Sequence, residues 1–440
     1  MTAEIERAIG YLFVGSLTLS APLLDGRADT TIAALGTIAP FALVALVAFV
    51  STDGPVFELF ARNGDREGGR LYSLASFALA VMALSVLFVA LGLPLSAFVA
   101  AVFILTAGNL AQRLVQRKIS APAIGASVFA AFGALAGTVA VVVSGQLGSV
   151  VPPTPTVVFV TASGGIIGAL IRSILSPGDD SLVLLSVALV IWFLLGIGLD
   201  PGPQQIVVGI AMTVALGYAA YGLGTASASG TLTGVLLALW AIILGGYGWF
   251  VLLVTFFGLG GLASKYRYEE KIERGVAQEN EGARGGGNVL ANSAVALVAV
   301  VAYASSTSLD IDPLVFQFAF IGAVAAALAD TFSSEFGGLF DTPRLITTFE
   351  RVPAGTDGGV TWQGGLAGAA GSGIIASLAW LFFELAPAVT AAMFAAGVLG
   401  MVVDSILGAM FEGDSLDNQT VNFLATLSAG LAAASVAMVV

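Results

Sequence analysis

The sequence predicts an all-α polytopic membrane protein with about 13–15 transmembrane helices. Three observations carry this expectation. Of 440 residues, 58% are hydrophobic and only 10% charged, with a mean hydropathy of +0.98. A soluble domain carries roughly a quarter charged residues. Apolar runs of about 17–25 residues recur along the chain, the length needed to cross roughly 30 Å of hydrocarbon. No basic-then-apolar leader ends in a cleavage site, so the first run is expected to stay in the protein.

In chain order the runs lie near 8–24, 31–50, 72–92, 94–111, 123–144, 156–176, 181–199, 205–223, 230–245, 247–262, 288–306, 313–330, 363–383, 389–411 and 420–440. The two that flank Gly245-Gly246 read either as two helices or as one bent helix. The basic residues fall into groups: Arg62/Arg66/Arg70, Arg113/Arg117/Lys118, Arg172, Lys265 to Arg284, and Arg344/Arg351. With the N-terminus in the cytoplasm, all these groups lie on the cytoplasmic side, as the positive-inside rule requires. Arg27, beside Asp25 and Asp29, is left outside. A cell membrane location with a cytoplasmic N-terminus follows. Two cytoplasmic connections, 263–287 and 331–362, are long enough to be functional. The charge alternation in the first predicts a short surface helix.

The chain reads as two related halves, 1–180 and 181–440. TAGNLAQRL (106–114), followed by the small-residue run 121–137, parallels LADTFSSEF (328–336), followed by the Gly-rich run 355–371. The first copy has Asn109 where the second has Asp330, and it has no counterpart of Glu335. The first half is therefore expected to be scaffold and the second to carry the site.

Composition excludes whole classes of chemistry. With no His and no Cys, thiolate zinc sites, Cys nucleophiles, His bases and disulfides are unavailable. Any metal must be held by oxygen, which points to magnesium, calcium or manganese. The net charge of −12, with Lys118, Lys265 and Lys271 the sole lysines, matches a halophilic composition. It leaves no basic stripe for nucleic acid.

Ionisable residues within spans are costly and so mark candidate sites. Asp330 is expected to close the span 313–330, with Ser334 and Glu335 just beyond. On a continuing helix the i to i+5 step splays Asp330 and Glu335 by roughly 140°. Asp404 lies deep in the span 389–411. Asn288/Asn292 and Asn418/Asn422 each share a helix face at four-residue spacing. The connection 341–362 supplies Arg344 and Arg351, then Gly355, Thr356, Asp357, Gly358 and Gly359 ahead of a helix start. Backbone amides at such a start bind phosphate, and arginine forks suit it too. No G-x-x-x-x-G-K-[ST] motif occurs, and the one G-x-G-x-x-A match, Gly371/Gly373/Ala376, lies inside a span.

RGGGNVLANSAVA, ADTFSSEFG, PRLITTFERVPAGTDGGVTWQG, GMVVDSILGA and LDNQTVNFL occur in this order. Together they resemble the integral-membrane family that includes the chloroplast phytyl-phosphate kinases of vitamin E synthesis, over about 181–440. The first half resembles a degenerate copy of the more distant polyprenol kinases. The resemblance implies phosphoryl transfer from a nucleoside triphosphate, CTP or another, to an isoprenyl monophosphate, with magnesium or manganese. On that basis Asp330, Glu335 and Asp404 are expected as catalytic metal ligands. Arg284, Asn288, Asn292, Ser334, Arg344, Gly355, Thr356, Asp357, Gly358, Gly359, Asn418 and Asn422 are expected at the phosphates. Two other readings stay open: a secondary transporter, and a cytidylyltransferase forming a CDP-lipid.

Overall fold

The computed structural model describes residues 2–25, 30–174, 180–277, 283–413 and 415–440. The chain is almost entirely helical. Its first compact unit, Met1–Ile206, contains α1 (Thr2–Ser16), α2 (Ser20–Leu24), α3 (Thr30–Val50), α4 (Gly54–Phe60), α5 (Asn63–Gly68), α6 (Tyr72–Leu91), α7 (Leu95–Val115), α8 (Pro122–Gln146), α9 (Thr154–Ile174) and α10 (Asp180–Gly196). The second, Val207–Val440, takes in most of α11 (Pro203–Gly222), then α12 (Ala228–Trp240), α13 (Tyr247–Lys265), α14 (Tyr268–Glu273), α15 (Gly286–Ala304) and α16 (Ser306–Leu309). It continues with α17 (Pro313–Gly337), β1 (Arg344–Leu345), β2 (Gly359–Val360), α18 (Trp362–Phe383), α19 (Pro387–Phe411) and α20 (Asn418–Val436).

Among the described residues, 13 segments are long and apolar enough to cross a membrane. Two of the expected runs fall short of that measure. The helix α10 has 17 residues, and Asn418, Gln419 and Asn422 dilute the apolar character of α20. The boundary between units lies one helix later than the 180/181 division read from the sequence. The helix α10 packs its buried Val183, Leu184, Val187 and Ile191 in the first unit, and Asp180, which opens it, pairs with Arg62 and Arg172 there at 2.5 Å each. Arg172 also donates to Asn109 Oδ1 at 3.0 Å. Arg27 and Asp29 lie outside the described residues.

In the second unit, Gly246 settles the alternative at 245/246. Its φ of 102° is in the left-handed half of the map, which glycine enters freely. The break follows a single π-helical turn, Ala241–Gly245. Thr225, just before α12, touches Gly261 near the end of α13. The two helices are therefore an antiparallel pair and not one bent helix.

The helix α17 is the centre of this unit. Asp312 caps it by accepting from Leu314 N at 2.9 Å, and Pro313 sits where no backbone donor is needed. Its alanine-rich middle, Ala323–Ala329, is buried. Small residues let helices approach closely where no water is available to drive association. A Cβ on Gly364, Gly368 or Gly371 of α18 would lie 2.8, 2.7 or 2.9 Å from Ser333 O, Ala329 O or Leu328 O. A Cβ on Gly322 of α17 would come within 2.6 Å of Ala429 O on α20. This tight packing holds the last turns of α17 in register with the starts of α18 and α20.

Candidate functional site

The helix α17 runs two turns beyond the expected end of its span. Asp330 is therefore inside the helix and not at its terminus. It faces α19, and its carboxyl lies within hydrogen-bonding reach of Asp404. Asp404 Oδ2 is buried and has no hydrogen-bond partner among the described residues. An orphaned acceptor beside a second carboxylate is an all-oxygen donor set of the kind hard divalent cations take.

These carboxylates sit in a cavity of about 930 Å³. Its lining brings together Arg284, Asn288, Asp330, Ser334, Gly355, Thr356, Asp357, Gly358, Gly359, Asp404 and Asn418. Each part has a local reason. Thr361 caps α18 by accepting from Gly364 N at 3.1 Å, which ends the Gly-rich connection at a helix start. Antiparallel pairing of Arg344 with Val360 and of Leu345 with Gly359 folds that connection back on itself. Gly358, at φ 70°, rests so close on α19 that a Cβ would come within 2.6 Å of Ala409 Cα. Asp417 caps α20 by accepting from Thr420 N at 2.8 Å. Asn422 donates to Asn418 O and Oδ1, both at 2.9 Å, and Asn418 lies beside Glu412.

Arg284 is the cavity's buried cation, 6% exposed. Its backbone N–H donates to Thr225 O and its carbonyl accepts from Ser227 N. Nη2 donates to Thr331 Oγ1 at 3.1 Å, the guanidinium lies 5.4 Å from the Phe256 ring centroid, and Nε has no partner among the described residues. Gly260 makes room for the head group, since a Cβ there would stand 3.2 Å from Nη1.

Four expected residues are placed elsewhere. Glu335 does not join Asp330 and Asp404. It is 4% exposed and accepts from Lys271 Nζ at 2.6 Å. The i to i+5 step on an unbroken helix turns it to the opposite side. Among the described residues no three acidic groups stand close enough to cage a metal, so the expected Asp330/Glu335/Asp404 triad is not assembled. Arg344 is exposed and donates to Phe349 O at 2.7 Å, an interaction that depends on Phe349 turning back at φ 59°. It does not line the cavity, and neither does Arg351. Asn292 is buried one turn behind the lining, donating to Asn288 O at 3.0 Å. Asn422 occupies the same position behind Asn418.

Three site features go beyond the sequence reading. Glu412 and Asp417 line the cavity. Burial pushes the Glu412 carboxyl above the usual range, and Asp357 and Asp417 add to the push. The short helix α14 is not merely a surface connector. Lys271 is 1% exposed and also donates to Ala263 O at 2.7 Å, so it ties that helix beneath α17. Asp417 and Glu412 stand in or beside LDNQTVNFL, a stretch whose asparagines already signalled polarity. Nothing local signals the Lys271–Glu335 pair.

Residues 211–430, half of the chain, match the family described as integral membrane protein DUF92. The chain belongs to that family. It is 38% identical over 192 residues to an uncharacterized membrane protein of Methanocaldococcus jannaschii, covering 42% of this chain and 75% of that one. It is 30% identical over 213 residues to the chloroplast protein VTE6 of Arabidopsis thaliana, covering 47% of this chain and 62% of that one. Protein PGR of the same plant is 34% identical over 228 residues, 41% of this chain and 79% of that one. No solved structure matches. The DUF92 match spans every lining residue of the cavity and leaves the first unit outside it. This family member is thus an integral multi-pass membrane protein.

Proposed function

We propose that the protein is a membrane-embedded isoprenyl-phosphate kinase that transfers a phosphoryl group from a nucleoside triphosphate to a prenyl monophosphate of the phytyl or geranylgeranyl type. The observation that carries this is the composition of one cavity. It sets paired carboxylates, a buried arginine and a Gly-rich helix start at the same end of a bundle of apolar helices. A phosphate headgroup attached to a lipid tail meets the protein at that depth. The resemblance to the chloroplast phytyl-phosphate kinases, and the likeness to protein VTE6, support the same reading.

The chemistry requires positioning and charge neutralisation above all. An oxygen of the prenyl monophosphate attacks the terminal phosphorus of the donor. The new P–O bond gives the prenyl diphosphate, and the broken β–γ P–O bond leaves the nucleoside diphosphate. The acceptor phosphate is already ionised near neutral pH, so no histidine base is needed. Asp330 and Asp404 would hold magnesium or manganese, which supplies charge neutralisation at the phosphates. Two protein carboxylates are the usual complement for magnesium, which fills its remaining sites with phosphate oxygens and water. The Gly-rich connection Gly355–Gly359 lines the cavity just ahead of the α18 start and would lie against the phosphates, although the Gly359 N–H is itself given to Thr356 O. Arg284 presents a buried fork to the second phosphate group. The positive-inside pattern supports a place for this cavity at the cytoplasmic face of the cell membrane.

The cavity supports kinase over transporter because Arg284 and the Gly-rich connection share it with the two carboxylates. The test is to incubate the purified protein with phytyl monophosphate, magnesium and each nucleoside triphosphate, and to identify the lipid products by mass spectrometry. Prenyl diphosphate supports the proposal. A CDP-lipid, or no product with any donor, overturns it.

A further inference from the structure

A second, apolar recess adjoins the polar cavity. It is bounded by Leu216, Gly217 and Ala220 of α11 and by Gly230, Gly234 and Val235 of α12, with Phe257 and Val289 behind them, and it is a narrow slot of about 40 Å³. Arg284 is the one described residue that lines both spaces. We infer that this groove holds the part of the isoprenyl chain nearest the phosphate, with the phosphate itself in the polar cavity at Arg284. The inference rests on the proposed activity only for the identity of the lipid.

Three features fix the occupant as an alkyl chain joined to an anion. The walls are apolar apart from Thr225, Thr231 and Arg284, which excludes a nucleotide or a sugar. At the shared end, Arg284 keeps a buried Nε without a partner among the described residues. A buried charged donor left unmade is costly, and an anionic oxygen would satisfy it. At the far side, α11 is a peripheral helix: Tyr218 is 83% exposed and Val214 63%. A chain can therefore enter the groove sideways from lipid. At about 40 Å³ the slot is far smaller than a whole-ligand site, so it takes only the first few carbons and the rest of a long isoprenyl chain stays in the bilayer.

The glycines supply the test. A Cβ on Gly234 would meet no atom within 4 Å, so a large side chain there fills the groove without displacing the fold. Gly258 on α13 is equally open and exposed, and it does not line the groove. The experiment uses the full-length protein in lipid vesicles with a phytyl monophosphate that carries a diazirine on its chain near the phosphate. After irradiation, labelled peptides are mapped by mass spectrometry. The expected result is labelling of α11 and α12 around 216–235, at least about tenfold lower in Gly234→Phe and in Leu216→Trp and unchanged in Gly258→Phe. A thermal scan of each variant checks folding. Labelling elsewhere, no labelling, or equal labelling in a folded Gly234→Phe or Leu216→Trp would overturn the groove. Turnover is measured separately on the wild type. Groove labelling without phosphoryl transfer leaves the groove standing and removes the kinase reading. Transfer with labelling elsewhere does the reverse.

Discussion

Asp330 on α17 and Asp404 on α19 bring their carboxyl groups within hydrogen-bonding reach of each other, and Asp404 Oδ2 remains buried without a partner among the described residues. Two acids so placed repel unless a proton or a cation lies between them. The first unit handles its buried charges differently. There Asp180 is neutralised by Arg62 and Arg172, and Arg172 also reaches Asn109.

That contrast sets the first prediction. Asp330→Asn and Asp404→Asn keep size but remove an anionic oxygen, and each should lower the turnover of prenyl monophosphate by about a hundredfold or more. Asn109→Ala in the first unit should leave substantial activity. Steady-state kinetics on the three purified variants decides. Equal losses at Asn109 and Asp330 would mean that the first unit shares in the chemistry.

The arginine at the phosphates should be Arg284 and not Arg344. Arg284→Lys keeps the charge and loses the planar fork. Removing one charge-assisted hydrogen bond to a buried phosphate costs about 1.5–3 kcal/mol, roughly ten- to a hundredfold in kcat/KM. Arg344 spends its guanidinium on Phe349 O, so Arg344→Lys should stay close to wild type. The reverse ranking would refute the placement of the cavity.

Lys271 and Glu335 make a buried ion pair, with side chains 1% and 3% exposed. Lys271→Met strands a buried carboxylate and should cost about 3–5 kcal/mol of stability. Lys271→Met combined with Glu335→Met should recover most of it. Thermal unfolding in detergent reads both. An additive double variant would mean that the pair does not interact.

Glycine spacing on α18 yields a prediction of sign. Alanine in a helix normally gains about 1 kcal/mol over glycine. At Gly371, where the new Cβ would lie 2.9 Å from Leu328 O and 3.1 Å from its carbonyl carbon, backbone cannot yield. Gly371→Ala should instead destabilise by about 1–3 kcal/mol. Gly365→Ala, which meets nothing within 4 Å, should be neutral or stabilising in the same thermal assay.

Most helices were legible because a membrane span needs a long apolar run, and such runs survive in sequence without tertiary context. Asp330, Asp404, Asn288 and Asn418 stood out for the same reason, as polar interruptions of apolar helices. Long-range pairing was not legible. Glu335 looked like a partner of Asp330 because they are near in sequence, yet its real partner lies 64 residues away. Arg344 looked like a phosphate ligand because loop arginines often are. Its hydrogen bond to Phe349 depends on a single left-handed residue that no local pattern announces. Glu412 was missed because it stands past the end of α19, where an acid reads as solvated.

The most direct measurement follows the terminal phosphate of the donor. The vesicle-reconstituted protein is given phytyl monophosphate, magnesium and γ-labelled nucleoside triphosphate, and the lipid fraction is collected. The account predicts labelled phytyl diphosphate from the wild type and none above background from Asp404→Asn. Absence of labelled lipid from a folded wild type, or equal labelling by Asp404→Asn, would contradict it.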